Sequence, residues 1–324
     1  MIVSGREILR IVPPTQNGPI SRLIGTVDID GKGTNHPLEQ CDPFMLLDQA
    51  TIPKSDLPPF GAHPHRGHSV VTVLLQGKIK SWDSFSNKET TIEGPASYWV
   101  DAGSGVFHDE TTIVDDSADP LQHVTIFQLW ISVKEEDRLK AAALQYDSNL
   151  PLEDFLNEEG DSIVGTARYF VGGGGAIQTP HPITVAHVTQ NSGTTLKFPI
   201  HSMHGGFVVH MEGCALYGKG AKEATTLKNA VHVLADANND NDTHLTISTP
   251  SVDEDNKKKH GNQSKYLICL GEKIQEPWYK KLVANGAVIA KSEEEAREIA
   301  SRVDISSKNG LVNGNFAPFG ATLN

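Results

Sequence analysis

The strongest constraint on this chain is a long series of short runs rich in Val, Ile, Thr and Phe, each closed by Gly, Pro, Asn or Asp. SVVTVLLQG, GKIKSWDS, ASYWVDAG and VTIFQLWISV stand in the first half, and ITVAHVTQN, TTLKFPI, GGFVVHMEG, HLTISTP and KYLICLG in the second. β-branched and aromatic residues suit a pleated, half-buried surface, and closely spaced turn residues keep each run at strand length. The series predicts an all-β protein built as sandwiches or barrels. Gly77 separates two of the runs as a hairpin turn does, and Gly213 has the same setting. Glycine and proline are frequent (29 and 18 residues) but follow no period, which excludes collagen-like and low-complexity architectures.

The strand texture breaks once. KEEDRLKAAALQ, from Lys134 to Gln145, is charged and alanine-rich and reads as a short helix or linker, followed by Pro151 and the acidic stretch Glu153 to Asp161. With 324 residues, two domains of ordinary size are expected: one barrel over 1–140, a linker over 141–165, and a second barrel over 166–324. Near the C-terminus Ser292 precedes Glu295 by three residues, the spacing of a capping box. The helix it starts carries Ala296, Ile299, Ala300 and Val303 on one face and should close the second barrel.

Charge and cysteines narrow the class. A net charge of −12 opposes a broad electrostatic grip on nucleic acid. Cys41, Cys214 and Cys269 are odd in number and widely spaced, so they read as reduced thiols rather than a disulfide framework or zinc site. The N-terminal MIVSGREILRIVPPT lacks the apolar core of a signal peptide, and no apolar run approaches the roughly 20 residues of a membrane span. A soluble, cytoplasmic protein is expected. The glycines of Gly172 to Gly175 have no phosphate-loop residues after them, and Lys257 to Lys259 sit in a polar loop.

Two histidine-containing pairs carry the chemistry. His63 and His65 are two positions apart, with Pro64 between them biasing the backbone towards extended geometry. Side chains at i and i+2 of a strand point to one face. In WVDAGSGVFHDETT the spacing returns as His108 and Glu110. If the two strands neighbour each other in a barrel, three imidazoles and one carboxylate meet. That set suits one first-row divalent metal ion per chain, and the carboxylate moves the choice towards Fe or Mn. Four protein ligands leave two octahedral positions open. Each remaining histidine, His68 among them, reads as an ordinary surface or core residue.

With both pairs in view, the chain resembles the pirin family of bicupins. CDPFMLLDQA (Cys41 to Ala50) is similar to the family's entry to the first barrel, HPHRGHSVVTVLLQGKIKSWDS to its first metal motif, and GPASYWVDAGSGVFHDE to its second. GEKIQEPWYKKLVANGAVIAKSEEEAREIASRV is similar to its closing segment. The resemblance implies two cupin barrels packed together, with Fe(2+) held in the first by His63, His65, His108 and Glu110 and no metal in the second. It implies cleavage of flavonols such as quercetin with O2; Glu110, the only carboxylate among the expected ligands, is then the expected base for the substrate hydroxyl, and a monomer is expected. The other activity it implies is that of an iron-dependent transcriptional cofactor in the nucleus, acting through a protein partner without turnover. The chain departs from the family after HPHRG: His68 and Ser69 stand where an aromatic residue and Glu are usual. The segments around Thr51 to Pro59 and Asp253 to Gln263 also differ.

Overall fold

The computed structural model describes residues 5–27, 34–53, 61–113, 123–219, 223–237, 242–251 and 261–303. Lys257 to Lys259, His260 and most of the two divergent segments lie outside them. The described residues are mostly strand, with one 3-10 turn and one α-helix. Contacts divide the chain into two compact units, each assembled from separate stretches of sequence.

The unit that carries the paired motifs comprises residues 16–40, 44–148 and 274–324. One of its sheets has His68–Gln76 at the centre, between Ala96–Asp101 and His123–Ser132, and continues through Phe44–Pro53 and Ile20–Ile24. The other runs in the order Lys88–Glu93, Lys78–Asp83, Val106–Thr112, His63–Arg66, Gly286–Ala290, Tyr279–Val283. Gly77 therefore does not close a hairpin: the strands on either side of it belong to different sheets, and the chain turns there from one to the other. A core that includes Val70, Leu74, Val100, Val106 and Trp130 fills this unit. Trp99 is fully buried, and its indole N–H donates to the Asp101 carboxylate at 2.7 Å, so its polar edge costs nothing in the interior.

The second unit comprises residues 1–15, 41–43 and 149–273. Its seven-stranded sheet runs Ile8–Val12, Val231–Leu234, His204–Glu212, Gln263–Glu272, Ile183–Asn191, Ile163–Val171, Leu152–Leu156, and a three-stranded sheet holds Thr195–Pro199, His244–Ser248 and Leu216–Tyr217. Gly213 likewise joins strands of different sheets.

The sequence boundaries and the structural units differ in four places, the first being that residues 1–15 and 41–43, expected in the first barrel, belong to the second unit. The charged segment after Lys134 forms only the 3-10 turn Glu135–Asp137, and Ala143–Asp147 then pairs with Ala96–Asp101 as an edge strand. Tertiary pairing overrides the helix propensity of its alanines. The expected linker 141–165 also contains the strand Leu152–Leu156, paired with Ile163–Val171. Finally, the closing segment joins the first unit and not the second. Gly286–Ala290 is buried throughout and pairs in parallel with His63–Arg66, Ala287 opposite His65. The α-helix Glu293–Ser301 starts as expected, the Ser292 hydroxyl accepting from the Glu295 amide at 3.1 Å. Its Ala296 and Ile299 pack on Val283, Val288 and Ala290 of that same hairpin. A run of five buried residues needs a partner on each side, and the strand His63–Arg66 supplies one.

Candidate metal centre

The strand His63–Arg66 is buried at every position, and antiparallel pairing with Val106–Thr112 sets His108 opposite His63. Two glycines allow the C-terminal strand to lie close beside it. Gly67 has φ 77°, and a Cβ there would stand 2.5 Å from the Ile289 carbonyl oxygen. At Gly286 a Cβ would meet the Pro64 carbonyl oxygen at 1.8 Å. Neither position tolerates a side chain without moving backbone.

The imidazoles of His63, His65 and His108 converge, with ligand nitrogens all within 4.8 Å of one another. Among the described residues, this is the group of His, Cys, Asp and Glu close enough to share a metal ion. His63 Nδ1 lies 2.8 Å from the Gly61 carbonyl oxygen, which can only accept. Nδ1 therefore carries the proton and Nε2 is bare. His65 Nε2 stands 2.9 Å from His108 Nε2, which is 3.1 Å from His63 Nε2. His108 Nδ1 is buried and has no partner among the described residues. Burial lowers the pKa of all three rings below the ordinary imidazole value, and the neighbouring histidines lower those of His65 and His108 further. Three neutral imidazoles thus aim nitrogens at one point where hydrogen bonds alone cannot satisfy them, and a cation does.

Separations of 2.9 and 3.1 Å are those of neighbouring nitrogens that share one small cation.

Glu110 sits two residues beyond His108 on the same strand, but its carboxylate lies outside the tight group of three nitrogens. It accepts from Thr72 Oγ1 at 2.7 Å, and Gln128 Nε2 in turn donates to Thr72 Oγ1 at 3.0 Å. Burial pushes the Glu110 carboxyl up to about 7, against the pull of Thr72 and Gln128. Glu110 and His63 line one cavity of about 130 Å³ whose walls include Ile52, Ile79, Ile126 and Trp130. A single water needs only about 10–15 Å³, so this space suits an organic ligand. Arg22 also lines it, its guanidinium paired through Nε and Nη2 with both oxygens of Asp48.

The sequence reading missed the Arg22–Asp48 pair, the Gln128–Thr72–Glu110 chain and, above all, His68. The His68 ring is 1 % exposed and contacts both His65 and Trp130, with centroids 5.1 and 5.3 Å away. The available signal was that the departure from the family pattern put another imidazole three residues after His65. In the second unit His210 is buried with Nδ1 2.7 Å from the Tyr217 hydroxyl, and the His201 and His204 rings lie 5.2 Å apart.

Residues 27–131 match the family model described as Pirin. A pirin-like protein from Arabidopsis thaliana is 25% identical over 261 residues, covering 79% of this chain and 76% of its own length. A Pseudomonas aeruginosa protein named "Putative quercetin 2,3-dioxygenase" is 28% identical over 230 residues, covering 67% and 78%. Among solved structures, a quercetin 2,3-dioxygenase from Acinetobacter baumannii has a TM-score of 0.67 at 20% identity, covering 92% of this chain and 96% of that one. The match to the Pirin model and the likeness to a pirin-like relative over most of both chains make this chain similar to the pirins, and the Acinetobacter structure shares its fold.

Proposed function

We propose that the protein is a metal-dependent dioxygenase of planar, hydroxylated aromatic compounds of the flavonol class, with Fe(2+) held by His63, His65, His108 and Glu110. The observation that carries this reading is the position of His63 and Glu110: both face one largely apolar cavity, and the carboxyl is held near neutrality. The names of the Pseudomonas and Acinetobacter proteins support the same reaction class.

A bound divalent ion supplies a Lewis acid that acidifies a substrate hydroxyl. The rest is the work of the chain. Ile52, Ile79, Ile126 and Trp130 exclude water and hold a flat ring. Glu110 takes the hydroxyl proton, because it is the carboxylate that faces the cavity beside His63. Thr72 orients its Oε1, and Gln128 holds Thr72.

The test is oxygen uptake by the iron-loaded protein across a flavonol series, with Glu110→Gln beside it. The expected result is consumption of O2 with quercetin and a loss of about 10²–10⁴-fold in the variant at retained metal content. A fully metallated protein that consumes no O2 with any flavonol would overturn the oxygenase reading and leave a metal-binding protein without this turnover.

A further inference from the structure

The ring nitrogens of His68 form a chain with both of its neighbours. His68 Nδ1 lies 3.0 Å from the Arg66 carbonyl oxygen, and His68 Nε2 lies 3.1 Å from His65 Nδ1. The carbonyl can only accept, so Nδ1 of His68 carries a proton. His65 offers its Nε2 to the point shared with His63 and His108, so its own proton sits on Nδ1 and His68 Nε2 is the acceptor. His65 Nδ1 is therefore the donor, and the His65 proton is fixed on Nδ1. His65 Nε2, which faces His108 and His63, is left as a bare lone pair.

We propose that His68 is a positioning residue that sets the tautomer and ring orientation of His65, so that a relay from the Arg66 carbonyl through two imidazoles prepares one nitrogen of the metal centre. The three histidines of the centre are prepared in different ways. His63 donates to the Gly61 carbonyl, and His108 Nδ1 has no acceptor among the described residues. His65 alone has its proton taken by another side chain. The relay closes over only four residues, Arg66 to His68 and back to His65, because Gly67 turns the chain with φ 77°. Trp130 stands against both rings, 5.2 Å from His65 and 5.3 Å from His68, and restricts their rotation.

An imidazole acceptor is neutral, whereas a carboxylate in its place would add charge to the buried centre. The relay thus orients His65 without changing the net charge around the cation. Outer partners of metal-bound histidines contribute about 10–100-fold to metal affinity.

The inference rests on the three-histidine centre and not on the flavonol reaction, so its test reads metal and not turnover. Metal-free protein is titrated with Zn(2+) against a competing chelator, for the parent, His68→Phe and His68→Gln. Phe keeps a ring against Trp130 but offers no acceptor. Gln places an amide oxygen near the Nε2 position. The expected result is about 10–100-fold weaker binding in His68→Phe and recovery of most of that loss in His68→Gln. Equal affinity for parent and His68→Phe, or an equal fall in both variants, overturns the proposal. A parent that takes up no Zn(2+) overturns it too.

A second measurement does not depend on how the variants fold. In the Zn(2+)-loaded parent, labelled with 15N at histidine, a slowly exchanging imidazole proton should correlate with His65 Nδ1 and show a coupling across the hydrogen bond to His68 Nε2. A His65 Nδ1 with no proton, or a proton without that coupling, overturns the relay.

Discussion

Replacing Glu110 with Gln should stabilise the metal-free protein above neutral pH. In the folded protein burial pushes this carboxyl from 4.5 up to about 7. The unfolded chain therefore releases the proton first as pH rises. Protonated Glu110 favours the folded state in full below about pH 4.5, and that contribution drains away as pH passes through about 7. At about 1.4 kcal/mol per pH unit, the gap sets a ceiling of about 3 kcal/mol. The side chain is only partly buried and faces the cavity, so screening by water reduces the effect, and about 1–2 kcal/mol is expected. Gln has nearly the same shape and never ionises. Urea unfolding of chelator-treated parent and variant at several pH values between 4.5 and 8 measures the difference. The two should be alike at pH 4.5, with the variant gaining steadily to pH 8. A difference independent of pH, or one favouring the parent at pH 8, would refute the claim that burial holds this carboxyl protonated.

Other expectations follow from the same geometry. His108→Ala should take metal content from about one ion per chain to near zero, measured by elemental analysis after gel filtration, while His210→Ala in the second unit leaves it unchanged. Gly286→Ala forces a Cβ against the Pro64 carbonyl, so it should cost about 1–3 kcal/mol in thermal unfolding and weaken Zn(2+) binding although no ligand is altered; unchanged affinity would show that the parallel neighbour is not needed. Arg22→Met leaves the half-buried Asp48 without its bidentate partner and should cost about 1–3 kcal/mol, most of which returns in the Arg22→Met, Asp48→Leu double variant when the two are compared by urea unfolding.

The strands and the imidazole group were legible because both depend on period-two spacing, which is local. His63 and His65 share a face by that rule, and so do His108 and Glu110. What the spacing could not show was which strands are neighbours. Gly77 looks like a hairpin turn in sequence, yet the runs it joins enter different sheets. A glycine gives the chain freedom to turn without specifying where it goes. The closing strand was misplaced for a related reason: Ala287 meets His65 through long-range parallel pairing, which leaves no local trace. His68 was overlooked because a histidine's role is set by the atoms around its two nitrogens. The Arg66 carbonyl and His65 Nδ1 come within reach only once Gly67 has bent the chain.

The parallel pairing of Gly286–Ala290 with His63–Arg66 also orders events during protein synthesis. The strand Gly286–Ala290 emerges from the ribosome long after the two histidines of the first motif that it flanks. At ordinary rates of about 5–20 residues per second, the histidine-bearing strand waits at least about ten seconds for its neighbour. During that interval its outer edge is unpaired and its imidazoles lack one wall of their setting. Ile8–Val12 waits in the same way for Val231–Leu234. The unit that carries the histidines lacks one of its strands until Gly286–Ala290 has been made, so a product that stops short of residue 286 has an open strand edge beside its histidines. The final setting of these imidazoles is thus separated from their own synthesis by the whole length of chain between the two paired strands.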